Sequence, residues 1–344
     1  MLDFDLQVER FIAVLGINKS INTAKAYRSD LRLLKLHLVL ACCDCVIPPQ
    51  DQTAYAQLEA ILQADENRLR PASQRLLDSF TVDLEAITSD DLVGYFLFLK
   101  ETLGYAQTTL NRKIVAVRRF FNYLLDHRLL ADPAIINDLE TKAIPRNEAP
   151  LHLTAEEAFH FLDTVRRHGS ERDYAMFLIM LSMGLRISEV IQMNVDSIGP
   201  DTEFYHVVDG KGGKSRPVPV PEAVREAVLA YLRVRPGEKA KGQHRMALFL
   251  GNRYTRITPR AVQQSLKDYT ALTDLPESKK VMLTPHKLRH TFATALYING
   301  EDLRTLMRLL GHENIATTTI YTHVDKEKLI ASLDKNPFAK SQEL

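Results

Sequence analysis

Between Thr284 and Val324 lie residues whose types and spacing can do chemistry on a phosphate. Thr284-Pro285-His286-Lys287-Leu288-Arg289-His290 sets a histidine and an arginine three apart. Leu309-Leu310-Gly311-His312 adds a second histidine, and Tyr321 follows nine residues later, in Tyr321-Thr322-His323-Val324. Arginine grips an oxyanion with a planar fork that stays charged, and histidine moves protons near neutral pH. A tyrosine hydroxyl titrates near ~10, so as a nucleophile it needs a base or strongly cationic surroundings. His286 can take that proton, and His312 can donate to a phosphate oxygen.

A tyrosine that cuts a phosphodiester passes through five-coordinate phosphorus with added negative charge on its free oxygens. Two arginines are the natural clamp for that charge. Arg289 is one candidate. Arg186, in Gly184-Leu185-Arg186-Ile187-Ser188-Glu189, is the other, and its place after an apolar run predicts that it points inward. The leaving oxygen needs a proton. Lys211 and Lys214, in Asp209-Gly210-Lys211-Gly212-Gly213-Lys214, both qualify by composition, although such a turn usually carries only exposed lysines. No helix opens directly after this glycine loop, which argues against a nucleotide cradle. His286 and His290 have metal-ligand spacing, but Lys287 stands where a metalloprotease has glutamate, and no carboxylate cluster offers a magnesium site. The expectation is a site with neither metal nor cofactor.

The elements that must position these groups are mostly helical. Thr154-Ala155-Glu156-Glu157 is a capping-box pattern that predicts a helix to about His168. The apolar run Arg172–Met183 predicts a buried helix, and Ile187–Met193 a short one after the glycine. Alternation over Glu203–Val208 and Ser215–Val220 predicts a hairpin with Lys211 and Lys214 in its turn. Helices are expected over Pro221–Val234, Thr258–Ala271, Pro285–Ile298, Asp302–Leu310, Ile315–Tyr321 and Lys326–Leu333, with a short strand or extended piece at Ala247–Leu250. In the first half, residues 3–40 read as helical, with Asn22 or Thr23 as a cap. A helix around Ala54–Leu62 follows, then one capped by Ser89-Asp90-Asp91. Thr108–His127 is the clearest, with Leu110, Ile114, Val117, Phe121 and Leu124 as its apolar stripe. Arg112, Lys113, Arg118 and Arg119 fall largely off that stripe, as a solvated basic face or as a face laid against DNA phosphates. Thr141–Pro150 has little apolar periodicity and reads as a linker. This divides the chain into a helical domain over 1–140, a linker over 141–150 and a second domain over 151–344, with a tail helix near 326–334.

With 344 residues, 45% apolar, the chain suits two domains with sizeable cores. No stretch reads as a signal peptide or membrane span. Cys42, Cys43 and Cys45 make a poor zinc pattern and read as free thiols of a cytosolic protein. The formal net charge of +1 excludes a uniformly basic nucleic-acid binder. Residues 1–150 carry 17 basic and 20 acidic residues and the remainder 27 and 23, so contact with DNA would need charge gathered on one face.

Taken together, Arg186 in Gly-Leu-Arg-Ile-Ser-Glu, Lys211 in Gly-Lys-Gly-Gly-Lys, His286-x-x-Arg289, Leu-Gly-His312 and Tyr321 resemble the tyrosine recombinase (phage-integrase) family. Thr-Pro-His-Lys-Leu-Arg-His-Thr-Phe-Ala-Thr and Tyr-Thr-His-Val are most similar to the bacterial Xer chromosome-dimer recombinases. The match spans most of 150–335 and is looser in the first domain, where Ala41–Pro71 is irregular. The resemblance implies a mostly α fold with a small antiparallel sheet in the C-terminal domain, and two domains closing as a C-shaped clamp on double-stranded DNA. It implies that Tyr321 forms a 3′-phosphotyrosine, that Arg186, Arg289 and His312 stabilise the phosphorane, that Lys211 protonates the 5′ oxygen and that His286 accepts a proton. Bonds are exchanged rather than hydrolysed, without ATP or metal. It also favours DNA contact for Arg112, Lys113, Arg118, Arg119 and Lys214. Partners implied are a dimer on each site and a homo-tetramer on two, coupled through the tail helix, with an accessory DNA translocase as a candidate. Local packing is the tail's alternative role. Integrases and resolvases of phages or transposable elements use the same chemistry. A type IB topoisomerase and a non-catalytic DNA-binding relative are the remaining readings.

Overall fold

The computed structural model describes residues 1–18, 21–41, 43–47, 49, 53–54, 56–58, 71–143, 152–208, 215–311 and 323–339. The chain divides into two compact units, Met1–Asn147 and Glu148–Leu344. Lys211, Lys214, His312, Tyr321 and the expected helix Ile315–Tyr321 lie outside the described residues, as does much of Ala54–Leu62.

The first unit contains α1 (Phe4–Asn18), α2 (Ile21–Leu40), α3 (Pro71–Leu77), α4 (Ser89–Leu97) and α5 (Gln107–Asp126). The whole expected stripe of α5 is buried, and Phe120 beside it meets Phe4 and Phe11 with ring centroids 5.6 and 5.5 Å apart. α2 begins at Ile21, so neither Asn22 nor Thr23 caps it. The cap of α4 is Thr88, one residue before the expected Ser89: its hydroxyl accepts from the Asp91 amide at 3.2 Å while Asp91 accepts from the Thr88 amide at 2.8 Å. A sheet unforeseen in this half pairs β1 (Val46–Ile47) with β2 (Thr81–Val82), Val46 opposite Val82. Two-residue strands carry no readable alternation. Backbone bonds from Asp83 to Cys45 and from Leu84 to Leu2 extend the seam.

Lys113 does not lie on an exposed basic face. It is 5% exposed, its ammonium donates to Asp30 at 2.8 Å, and Arg112 grips the same carboxylate with both Nη atoms. Asp30 itself is 2% exposed. Arg118 and Arg119 stay exposed, with Arg118 reaching the Leu139 carbonyl at 3.2 Å.

The second unit is built around α7 (Glu171–Met183), buried continuously from Ala175 to Met183. α6 (Ala155–His168) packs on it and opens with the expected capping box, Thr154 with Glu157. α8 (Ile187–Gln192) follows the turn at Gly184, and β3 (Phe204–Val208) pairs antiparallel with β4 (Ser215–Pro219), setting Val207 opposite Arg216. α9 (Glu222–Val234), α10 (Pro259–Ala271) and α12 (Pro285–Ile298) complete the layers around α7, followed by α13 (Leu303–Leu310) and α14 (His323–Asp334). Ala247 and Leu250 make single bridges, to Asn194 and Arg256, rather than a strand. The short α11 (Glu277–Met282) was not foreseen, because its run Glu-Ser-Lys-Lys-Val-Met has no buried stripe; Lys279 ties it to Glu157 at 2.6 Å.

The tail packs on its own unit. Leu329 sits among Phe292, Leu296, Leu306 and Leu309. Beyond α14, Asn336 Nδ2 donates to the Ser182 carbonyl at 2.7 Å, the Ser182 hydroxyl donates to the Phe338 carbonyl at 2.7 Å, and Phe338 is buried against Phe159. No helix among the described residues is long and apolar enough to cross a membrane.

Removing one member of a buried ion pair strands the other in low dielectric, at a cost of about 3–5 kcal/mol. We expect Asp30→Ala to destabilise the protein by about that amount in chemical denaturation. Asp30→Ala combined with Lys113→Met should lose less than Asp30→Ala alone.

Candidate active site

Gly184 ends α7 in the left-handed region, at φ +59°. A Cβ there would lie 2.2 Å from the ring of Phe292 on α12, so the turn needs both the backbone freedom and the missing side chain of glycine. That close approach brings the Gly184 carbonyl onto Arg289, whose Nη1 donates to it at 2.7 Å. Two residues on, Arg186 caps α8, and its amide donates to Glu189 Oε2 at 2.7 Å.

Glu189 is the meeting point. Arg186 Nη1 donates to Oε1 at 2.9 Å, Arg216 Nη1 and Nη2 donate to Oε1 and Oε2 at 3.0 and 2.8 Å, and Arg289 Nη1 lies 3.6 Å from Oε2. Burial alone would raise the Glu189 carboxyl. The hydrogen bonds and charge of Arg216, with those of Arg186, outweigh it and hold the carboxyl below its ordinary value. Glu189, Arg216 and Arg289 are buried. Arg186 differs from its expected inward placement: its side chain is 39% exposed even with Nη1 on Glu189.

The same three arginines bind the end of α13. Arg216 Nε donates to the Leu309 carbonyl at 3.0 Å, Arg289 Nη2 to that of Leu310, and Arg186 Nη2 to that of Gly311 at 3.4 Å. These are carbonyls without a partner inside the helix, where the helix dipole favours cations. Gly311 adopts φ +65°, and its successor is His312.

His286 stands exposed on the first turn of α12, one turn before Arg289. Partial burial, then the charges of Arg289, His290, Lys287 and Arg186, push its imidazole below the ordinary histidine value. His290 faces elsewhere, with Nδ1 3.0 Å from the Thr294 hydroxyl and its ring stacked on His152 at 5.9 Å. Thus the structure brings together Arg186, Arg289 and His286 and adds Glu189 and Arg216, which sequence reasoning did not single out. Their trace was slight: Glu189 stands three residues after its cap, and Arg216 occupies a strand in which Val218 also points inward.

Residues 152–328 match the phage integrase family. The chain belongs to the phage integrase family. It is 37% identical over 268 residues to tyrosine recombinase XerC of Caldanaerobacter subterraneus subsp. tengcongensis, covering 77% of this chain and 73% of that one. It is 33% identical over 331 residues to tyrosine recombinase XerC of Herpetosiphon aurantiacus, covering 94% and 92%. The fold resembles that of the XerH site-specific recombinase solved with a palindromic difH substrate, with a TM-score of 0.55 over 88% of this chain and 95% of that one, at 19% identity. Within the family this chain is a tyrosine recombinase of Xer type, a site-specific recombinase, and Gly184–Glu189, His286–Arg289 and Gly311 all fall in the matched region.

Two measurements bear on this geometry. Gly184→Ala adds left-handed strain and overpacking against Phe292, together about 2–4 kcal/mol of lost stability in denaturant titrations. NMR titration of His286 in DNA-free protein should give a midpoint below ~6.5. The linkage has a definite sign. The folded chain binds this proton less readily than the unfolded one, so the contribution to stability is complete above ~6.5 and declines as pH falls through the folded value.

Proposed function

We propose that this recombinase exchanges DNA strands through Tyr321, with Arg186 and Arg289 gripping the scissile phosphate. The Tyr321 hydroxyl attacks phosphorus and passes its proton to His286. A phosphotyrosyl bond forms at the 3′ side, and the bond to the 5′ oxygen breaks as Lys211 donates a proton to it. His312 donates to a non-bridging oxygen. In the second half the 5′-hydroxyl of another strand attacks the same phosphorus and Tyr321 leaves. One bond is made for each bond broken, so the exchange needs no ATP.

The observation that carries this reading is the convergence of Arg186 and Arg289 on Glu189, at the carbonyls that lead directly into His312. Two guanidinium forks held at one place match the charge that develops on a phosphorane. The neutral state favoured at His286 suits a proton acceptor.

On double-stranded DNA, Arg118 and Arg119 of α5, with Lys214, would contact phosphates, while Arg112 and Lys113 stay committed to Asp30. Two sites, each carrying a dimer, would be joined in a homo-tetramer when the tail leaves its own unit and seats on a neighbour. By likeness to the Xer enzymes the role is resolution of chromosome dimers in the cytoplasm, with a DNA translocase as accessory. We expect a nicked suicide substrate carrying the cognate site to trap a covalent protein–DNA adduct. Tyr321→Phe should abolish the adduct while leaving DNA binding intact; adduct retained in that variant would remove Tyr321 from the role of nucleophile.

A further inference from the structure

Arg216 takes no part in the chemistry set out above, yet all three nitrogens of its guanidinium are engaged. The residue is 7% exposed. Its Nη atoms bind both oxygens of Glu189, and its Nε binds the Leu309 carbonyl. These bonds join three parts of the chain that are distant in sequence: β4, which follows Lys211 and Lys214 in the sequence; α8, which Arg186 caps and which carries Glu189; and the end of α13, which precedes His312. The fit is close. A Cβ on Gly311 would lie 2.9 Å from Arg216 Nη1 and 3.0 Å from Cδ. A guanidinium with all three nitrogens engaged behind a carboxylate cannot also reach a phosphate in front of it.

We propose that Arg216 is a positioning residue for recombination: by fixing Glu189 and the Leu309 carbonyl at the end of α13, it sets the phosphate clamp of Arg186 and Arg289. This rests on the reading that those two residues hold the scissile phosphate. The geometry favours the clamp over the proton donor as the object of this positioning. The hydrogen bonds of Arg216 run to Glu189 and to the Leu309 carbonyl; Glu189 is also held by Arg186, and the two carbonyls that follow Leu309 are held by Arg289 and Arg186. Lysine in its place keeps the charge but has one nitrogen for what three now do.

The test is single-turnover adduct formation by the full-length protein on a nicked suicide substrate, read beside its affinity for the uncut site and its thermal melt. A displacement of about 1 Å in a catalytic group costs on the order of 100-fold in rate, and we expect a loss of that order for Arg216→Lys. DNA affinity and melting temperature should stay close to those of the parent. Gly311→Ala, which drives a methyl group into the Arg216 side chain and leaves its charge in place, should slow the reaction in the same way and gives a second route should Arg216→Lys fold poorly.

A substrate with sulfur in place of the bridging 5′ oxygen separates the two possible objects of positioning, since a thiolate leaves without a proton. Lys211→Ala should recover on this substrate, and Arg216→Lys and Gly311→Ala should not. Recovery of Arg216→Lys would overturn the proposal by assigning the residue to the proton donor. So would an unchanged cleavage rate, or a rate loss matched by an equal loss of DNA affinity. Failure of Lys211→Ala to recover would instead count against the role given to Lys211 and leave the Arg216 result standing.

Discussion

One carboxylate organises the second unit. Like charges ~4 Å apart repel by about 4 kcal/mol at the effective dielectric of a protein surface, so three guanidinium groups do not gather unaided. Glu189 gathers them: it accepts from Arg186 and Arg216 and lies 3.6 Å from Arg289. It also accepts from the amide that opens α8, so the residue that collects the charges fixes the helix from which it projects. Its pKa records the balance, with burial pushing one way and the arginines prevailing.

The remainder of the unit can be understood as what keeps that carboxylate in place. α7 is apolar along its buried length and ends at Gly184, where the absent side chain lets α12 come close through Phe292. That approach delivers Arg289 to the Gly184 carbonyl. The last carbonyls of α13 and the Gly311 carbonyl accept from Arg216, Arg289 and Arg186. Two weak points of any helix, its unpaired carbonyls and its negative end, are thereby turned into fixtures of the site. Leu309, whose carbonyl binds Arg216, also belongs to the buried apolar cluster that takes in Leu329 of α14.

What was legible in the sequence divides along physical lines. Local chemistry was readable. The box of Thr154 and Glu157, the glycine after α7 and the stripe of α5 each depend on neighbours within a turn or two, and Arg186, His286 and Arg289 stand in short motifs. Long-range pairing was not. Lys113 reads as one more cation beside Arg112 because Asp30, which buries it, lies 83 residues away. Arg216 follows Lys211 and Lys214 in the sequence and looks like one more cation of that run until Glu189, 27 residues earlier, comes to face it. β1 and β2 are too short to show a period. The direction of the tail is likewise a matter of partners: its apolar side suits any matching surface, and here the matching surface is its own unit.

The two buried carboxylates show why similar ion clusters take different roles. Asp30 holds Lys113 with the ammonium enclosed, and replacing such a pair by apolar groups often costs nothing or even stabilises a fold. Asp30 ties α2 to α5. Glu189 is buried as well, but the side chain of Arg186 beside it is 39% exposed at the start of a helix. An apolar substitute for Glu189 could fill the volume, but it would leave the arginines to separate and turn toward water. Stability alone therefore does not account for this cluster. A group of guanidinium forks, fixed from behind and open in front, is suited to an anion whose charge grows as it reacts. The stiffness of the rear attachments matters there, because a clamp free to adjust would hold the ground state as well as the transition state and gain no rate.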